Sequence, residues 1–266
     1  MKVLITGASR GIGRTIGAEL LKQGCEVIGT SRNPEAMDTS SRLEFPMLKL
    51  DISIKESILQ CSRQAGDIDV LINNAGISQM GAVEEIPAEK MRALFETNFF
   101  GLVELTRCFL PQMRKKRQGF IINIGSLAGK FAVPFKSGYV ASKFALAGFT
   151  WSLRNEVMPF GIKVTVIEPA DIHTTIEPEL FIKDGSEYSQ YVEKVKNARR
   201  ASMDRAAGPE VVARKVSWLL KNYWNNDKQP APFYAAGRNG SLLVNAKRFL
   251  PDSFTEKMVR RSYGLE

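Results

Sequence analysis

Short apolar runs alternate with longer amphipathic stretches along most of the chain. Lys2-Val-Leu-Ile-Thr6, Glu26-Val-Ile-Gly-Thr30, Met47-Leu-Lys-Leu50, Asp69-Val-Leu-Ile72, Phe120-Ile-Ile-Asn-Ile124, Lys163-Val-Thr-Val-Ile167 and Pro232-Phe-Tyr-Ala-Ala236 read as strands, the 120–124 run as a buried one. Helical character separates them over 14–23, 54–64 (with Ser53 as its cap), 87–116, 138–158 and 208–223. In the 87–116 helix Met91, Leu94, Phe95, Leu102, Leu105 and Phe109 form one apolar stripe, and Asn98 falls on it. The 138–158 helix is apolar on several faces through Phe144, Leu146, Phe149, Trp151 and Leu153. That predicts burial by the sheet and by a second subunit, in a homodimer or homotetramer. Such alternation predicts an α/β fold: a Rossmann-type, doubly wound parallel sheet in a single domain, with its core over 2–236.

The alternation breaks twice. From about 170 to 208 no strand–helix pair is legible, and Tyr188, Tyr191, Val192 and Val195 make a helical stripe there. A lid over the strand ends fits this insertion. From about 240 to 266 two amphipathic segments, 242–250 and 254–261, are broken by Pro251. Leu242, Leu243, Phe249, Leu250, Phe254, Met258 and Val259 are mixed there with Lys247, Arg248, Lys257, Arg260 and Arg261. This tail suits a roof on a lipophilic pocket, peripheral membrane contact, or packing on the body.

Composition narrows the class. A chain of 266 residues with 44% hydrophobic content is an ordinary globular domain. Cys25, Cys61 and Cys108 are scattered, odd in number, and suit neither a disulfide frame nor zinc; a reducing, cytoplasmic setting is expected. The net charge of +9 comes from dispersed bases with no nucleic-acid motif beside them. No metal site is expected, and the single histidine, His173, reads as a loop residue.

The chemistry-bearing residues follow strands. Gly7-Ala-Ser-Arg-Gly-Ile-Gly13 lies between the first strand and the first helix. Glycines there let the backbone approach a phosphate, and the helix N-terminus offers free N–H groups. The second strand ends in Ser31-Arg32 rather than in the acid that would hold a ribose diol, and Arg10 adds a second cation. This pattern suits a 2′-phosphate, hence NADP(H). Ser126 stands past the fifth strand, and Tyr139 and Lys143 share one helix face four residues apart. Such a set can handle a carbonyl and a proton.

Taken together, Thr6-Gly-x-x-x-Gly-x-Gly13, Asp51, Asn73-Asn-Ala-Gly76, Asn98, Ser126, Tyr139-x-x-x-Lys143 and Pro169-x-x-Ile-x-Thr174 resemble the short-chain dehydrogenase/reductase family, in its single-domain branch. The segment from Ser126 to Phe149 and the basic tail look most like members acting on 17β-hydroxysteroids and retinol. The resemblance implies that Tyr139 is the general acid or base, that Lys143 lowers its pKa, that Ser126 orients the substrate oxygen, and that Asn98 supports a proton relay through water. It implies cofactor contacts from Gly7, Ser9, Arg10, Gly11, Ile12, Gly13, Ser31, Arg32, Asp51, Ile52, Asn74, Ala75, Gly76, Tyr139, Lys143, Pro169, Ile172 and Thr174. Ala170 stands where the family usually has Gly, which shifts the expected course of the nicotinamide-side loop. The expected activity is NADP(H)-dependent hydride transfer to or from a small lipophilic ketone, aldehyde or alcohol. An epimerase, dehydratase or isomerase on the same fold, and an NADPH-sensing regulator without turnover, are the alternatives.

Overall fold

The computed structural model describes residues 1–35, 44–174 and 176–266. Seven strands form one parallel sheet: β1 (Lys2–Ile5), β2 (Glu26–Ser31), β3 (Met47–Lys49), β4 (Val70–Asn73), β6 (Gly119–Ile124), β7 (Ile162–Pro169) and β9 (Phe233–Ala236). Their spatial order is β3-β2-β1-β4-β6-β7-β9. β6 and β7 are buried at every position, which explains the apolar run of β6, while β7 carries buried Lys163, Thr165 and Glu168 among its Val and Ile residues. The order reverses direction at β1, so a crevice opens beyond the C-terminal ends of β1 and β4.

Helices cover both faces. α1 (Gly11–Leu21) and α7 (Glu210–Tyr223) pack Ile16, Leu20, Val216 and Leu219 against Val3, Ile5, Ile72 and Ile122. On the other face, α2 (Lys55–Ala65), α4 (Gly101–Lys116) and α5 (Ser137–Val157) bury Ile58, Leu105, Phe109 and Leu153 against Leu4, Leu71 and Ile121. Burying such side chains contributes about 1.5–3 kcal/mol each. The expected doubly wound α/β architecture is therefore observed.

Several local expectations need correction. Ser53 does not cap α2; its N–H and hydroxyl both donate to Asp51 Oδ1, at 3.0 and 2.6 Å, and Ile54 precedes the helix without a side-chain cap. The helix expected over 87–116 is in three parts: α3 (Ala88–Phe95), a π-helical turn (Glu96–Phe100) and α4. The insertion holds a strand, β8 (Glu179–Phe181), which pairs in parallel with β5 (Gln79–Gly81) in a separate two-stranded sheet. These two were illegible because three-residue strands carry too little periodicity. α6 (Ser189–Met203) follows, and the expected stripe splits. Val192 and Val195 are buried around Met80, whereas Tyr188 and Tyr191 are exposed, Tyr188 edge-on to Phe135. His173 is a loop residue whose N–H donates to the Ala207 carbonyl; the end of that loop, Thr175, lies outside the described residues. The tail forms α8 (Gly240–Lys247) and α9 (Asp252–Ser262). Among the described residues no helix is long and apolar enough to cross a membrane.

Candidate active site

The glycine turn joins β1 to α1 through residues with left-handed backbone, Gly7 at φ 65° and Gly11 at φ 56°. Such angles are unstrained only without a Cβ. Gly13 is required for packing: a Cβ there would stand 2.6 Å from both Asn74 Nδ2 and the Gly7 carbonyl oxygen. Thr6, which opens the glycine motif, is the hub of this region. Its hydroxyl oxygen accepts the N–H groups of Asn74 and Ala75, both at 2.9 Å. Asn74 Nδ2 in turn donates to the carbonyls of Thr6 and Gly7 at 2.8 and 3.1 Å. The turn after β4 thus clamps the glycine turn, and Gly76 follows beside Asn98 and Lys143.

Around the adenosine end, Ser31 closes β2 and accepts the N–H of Asn33, while Arg32 and Arg10 are exposed. Arg10 immediately precedes α1 and Ser9 lies in the turn; Ile12 sits on the first helical turn, facing the cavity described below. Asp51 follows β3, and Ile52 is buried beneath it. At the far end of the crevice, Pro169 ends β7, Ile172 bridges to Ala207, and Thr174 approaches Gly11. Ala170 fits without strain: it has no positive φ, and its N–H donates to the Ala236 carbonyl at 2.8 Å, continuing the β7–β9 ladder.

β6 delivers Ser126 to the same crevice. Its extended backbone starts the 3-10 turn Leu127–Gly129, and its hydroxyl oxygen accepts the Ala128 N–H at 3.1 Å. Tyr139 and Lys143 occupy successive turns of α5, with Lys143 Nζ 5.7 Å from the Tyr139 ring centre. Lys143 is 6% exposed and donates to the Ile124 carbonyl at 3.1 Å. Burial lowers its pKa to about 8. Burial also pushes the Tyr139 phenol up, with the Ser126 hydroxyl and Arg199 pulling it back. The expected lowering of that phenol by Lys143 is not produced by the protein alone, because desolvation dominates.

Asn98 lies on the π-helical turn, where the extra residue turns its carboxamide towards the β4 loop. Its Oδ1 accepts the Ile77 N–H at 2.8 Å, and its Nδ2 donates to the Ile77 carbonyl at 3.0 Å and Ser142 Oγ at 3.1 Å. Ser142 Oγ donates to the Tyr139 carbonyl at 2.8 Å. Asn98 therefore ties the loop after β4 to the helix that carries Tyr139 and Lys143.

Two buried polar networks, one through Asn73 of the motif after β4 and one at Glu168, were not foreseen from the sequence. Asn73 Nδ2 donates to Asn123 Oδ1 and Thr106 Oγ1, and Asn123 Nδ2 to Thr150 Oγ1, linking β4 and β6 to α4 and α5. The polar Asn123 within Phe-Ile-Ile-Asn-Ile was the available signal. Glu168, 1% exposed, lies beside Gly125 and Gly129 with Lys130 Nζ at 3.6 Å; burial raises its pKa to about 7. Lys130 also sits over the rings of Trp151 and Phe233, at 4.0 and 4.8 Å.

A cavity of about 760 Å³ opens over Ser126 and Tyr139. Met80, Phe131 and Val133 line its body, and Leu243, Leu250, Met258, Val259 and Tyr263 from the tail roof it. Lys136 and Arg199 flank the Tyr139 end. Among the described residues no group of three or more His, Cys, Asp or Glu is placed to hold a metal ion.

Residues 1–184 match the short chain dehydrogenase family. The chain is 42% identical over 172 residues to a 3-ketodihydrosphingosine reductase of Bacteroides thetaiotaomicron, covering 65% of this chain and 64% of that one. A short-chain dehydrogenase structure from Streptomyces avermitilis superposes with a TM-score of 0.81 at 32% identity, covering 100% and 98%. The closed form of a serine dehydrogenase complexed with NADP+ gives a TM-score of 0.74 at 27% identity, covering 90% and 95%. With the matched segment running through the glycine turn, Ser126, Tyr139 and Lys143 alike, this chain belongs to the short-chain dehydrogenase family.

Proposed function

We propose that this protein is an NADP(H)-dependent oxidoreductase that interconverts a lipophilic ketone or aldehyde and its alcohol. The observation that carries the reading is the convergence of Ser126 and Tyr139 on an apolar-roofed cavity, with buried Lys143 one turn behind Tyr139 on α5, 5.7 Å from its ring centre.

The residues present suit a dinucleotide. The left-handed Gly7 and Gly11 allow close backbone approach, the first turn of α1 presents N–H groups without intrahelical acceptors, and exposed Arg10 and Arg32 suit a 2′-phosphate. Thr174 and Ile172 complete the far side of the crevice. The structurally similar serine dehydrogenase in complex with NADP+ supports the same choice.

When bound, NADPH supplies the hydride to the carbonyl carbon, and NADP+ accepts it in the reverse direction. Ser126 Oγ holds the substrate oxygen, and Tyr139 delivers the proton to it during reduction. A buried phenol resists ionisation, so as an acid Tyr139 stays protonated and aimed. As a base it needs neighbouring positive charge, which Lys143 and the oxidised nicotinamide provide together. Lys143, anchored on the Ile124 carbonyl, keeps further N–H groups for the nicotinamide ribose and for reprotonation. Asn98 holds that arrangement from the π-helical turn and supports the proton path towards Lys143.

The substrate preference rests on the lining of the cavity by Met80, Phe131, Val133 and the tail residues. A relative bearing the name of a keto-compound reductase fits this direction of chemistry. The test is oxidation of NADPH and NADH by the full chain over a homologous series of alkyl ketones and aldehydes, with a sugar panel beside it. NADPH-dependent turnover rising with chain length is expected. No turnover with any carbonyl, despite tight NADPH binding, would favour a sensing role instead.

A further inference from the structure

The Tyr139 end of the cavity is cationic, and neither hydride transfer nor apolar packing uses that charge. Lys136 immediately precedes α5, one helical turn before Tyr139, and its ammonium stands 4.8 Å from the Tyr139 ring centre. Arg199 reaches the same place from α6 and is 18% exposed. Arg199, Lys136, Tyr139, Asp171 and Tyr263 all line the cavity. The charges of Arg199 and Asp171 act on Lys136, Tyr139 and Tyr263 alike, so the five groups share one end of it.

The two nearby carboxylates leave this charge incompletely answered. Asp171 accepts the hydroxyl of Ser202. Glu177 pairs with Arg199 at 3.1 Å, but it is 79% exposed, so that pair is weakened by solvent. Lys136 makes no salt bridge within 4.0 Å to a carboxylate among the described residues. Its pKa is lowered to about 8, first by burial and then by Arg199, with Asp171 and Glu177 acting against that. A partly desolvated ammonium beside a second cation is a costly arrangement without an anion to face it.

We infer that Lys136 and Arg199 form an anion subsite beside Tyr139, and that the preferred substrate is a lipophilic carbonyl compound bearing a carboxylate or phosphate close to the reacting carbon. The position of Lys136 over the Tyr139 ring places the anion near the carbonyl rather than at the distal end of the apolar chain. The roof residues Leu243, Leu250 and Met258 then take the chain. Lys136 is a substrate-binding residue in this account and transfers no proton. The inference rests on the carbonyl-reductase reading above.

The test uses the full chain with NADPH and four ketones of equal chain length: a neutral ketone, a keto acid with its carboxylate near the carbonyl, a hydroxyketone phosphate ester, and an amino ketone. At least one anionic ketone should exceed the neutral one by roughly tenfold or more in kcat/KM, the range of a desolvated charge-assisted contact. The carboxylate and phosphate arms decide which anion the subsite takes. Lys136→Gln should erase that advantage by raising KM for the anionic ketone, leave the Kd of NADPH within about twofold, and be partly rescued by Lys136→Arg. Reduction of the neutral or amino ketone with no anionic advantage would overturn the subsite while leaving the reductase reading intact. A weakened NADPH Kd in Lys136→Gln would also overturn it, since the cation would then serve the cofactor. Failure to reduce any of the four would instead remove the reductase reading on which it rests.

Discussion

Lys143 donates to the carbonyl oxygen of Ile124 at 3.1 Å, which fixes a buried ammonium at the end of the strand that delivers Ser126. The sheet itself therefore orients the cation, and α5 needs only to bring Tyr139 to it. Desolvation lowers Lys143 and raises Tyr139, so burial shifts each group towards its neutral form.

Tyr139→Phe removes the proton donor with little change of shape. NADPH affinity should stay within about twofold while turnover falls by at least ~100-fold, the low end for a positioned acid–base group. Fluorescence titration and steady-state rates check the two halves. Wild-type turnover in a variant that still binds NADPH would take Tyr139 out of the mechanism.

Cofactor choice rests on Ser31-Arg32 at the end of β2, where an acid would select the ribose diol. The wild type should bind NADPH more tightly than NADH. Arg32→Ala should narrow the ratio by roughly tenfold, mostly by weakening NADPH. Equal affinities in the wild type would exclude a 2′-phosphate site here.

Gly13→Ala should be disruptive out of proportion to one methyl group. The added Cβ would meet Asn74 Nδ2 and the Gly7 carbonyl at 2.6 Å, breaking the clamp between the two strand-end turns. Overpacking of this kind costs about 1–3 kcal/mol. Calorimetry should show a lower Tm, and NADPH binding should weaken at least about tenfold. A fully stable variant with normal binding would mean the turn relaxes freely.

Glu168 gives the protein a pH-dependent weakness. Its pKa is raised by burial, from the ordinary 4.5 to about 7, so the folded state prefers the protonated form. A raised acid costs nothing below its unfolded pKa. Its penalty grows as pH rises from about 4.5 to about 7 and is then constant, at up to about 3 kcal/mol. Glu168→Gln should therefore gain stability relative to wild type as pH goes from 5 to 8. Paired Tm measurements across that range test the sign, and a difference that stays flat would show that Lys130 already compensates the charge.

The sheet was legible in the sequence because its central strands, buried on both faces, read as short apolar runs, and seven such β-like runs alternate with amphipathic helices. Ser126, Tyr139 and Lys143 were legible for a related reason: strand ends and a four-residue helical spacing are local geometry. Other features depend on partners remote in sequence. Thr6 meets Asn74 and Ala75, Glu168 meets Lys130, and Gln79–Gly81 pairs with Glu179–Phe181, contacts that no local periodicity encodes. The Tyr139 phenol makes the same point in energetic form. Spacing put Lys143 beside it and the family resemblance implied a lowered pKa, but the depth of burial, which only the packed structure sets, pushes the phenol up in the protein alone. The sequence by itself determined the order of elements and the family motifs that nominate Ser126, Tyr139 and Lys143, because both are written in short-range pattern. Tertiary structure alone decided which charges are desolvated, which carboxamides are tied down, and that the tail roofs the cavity, because each is a property of three-dimensional surroundings.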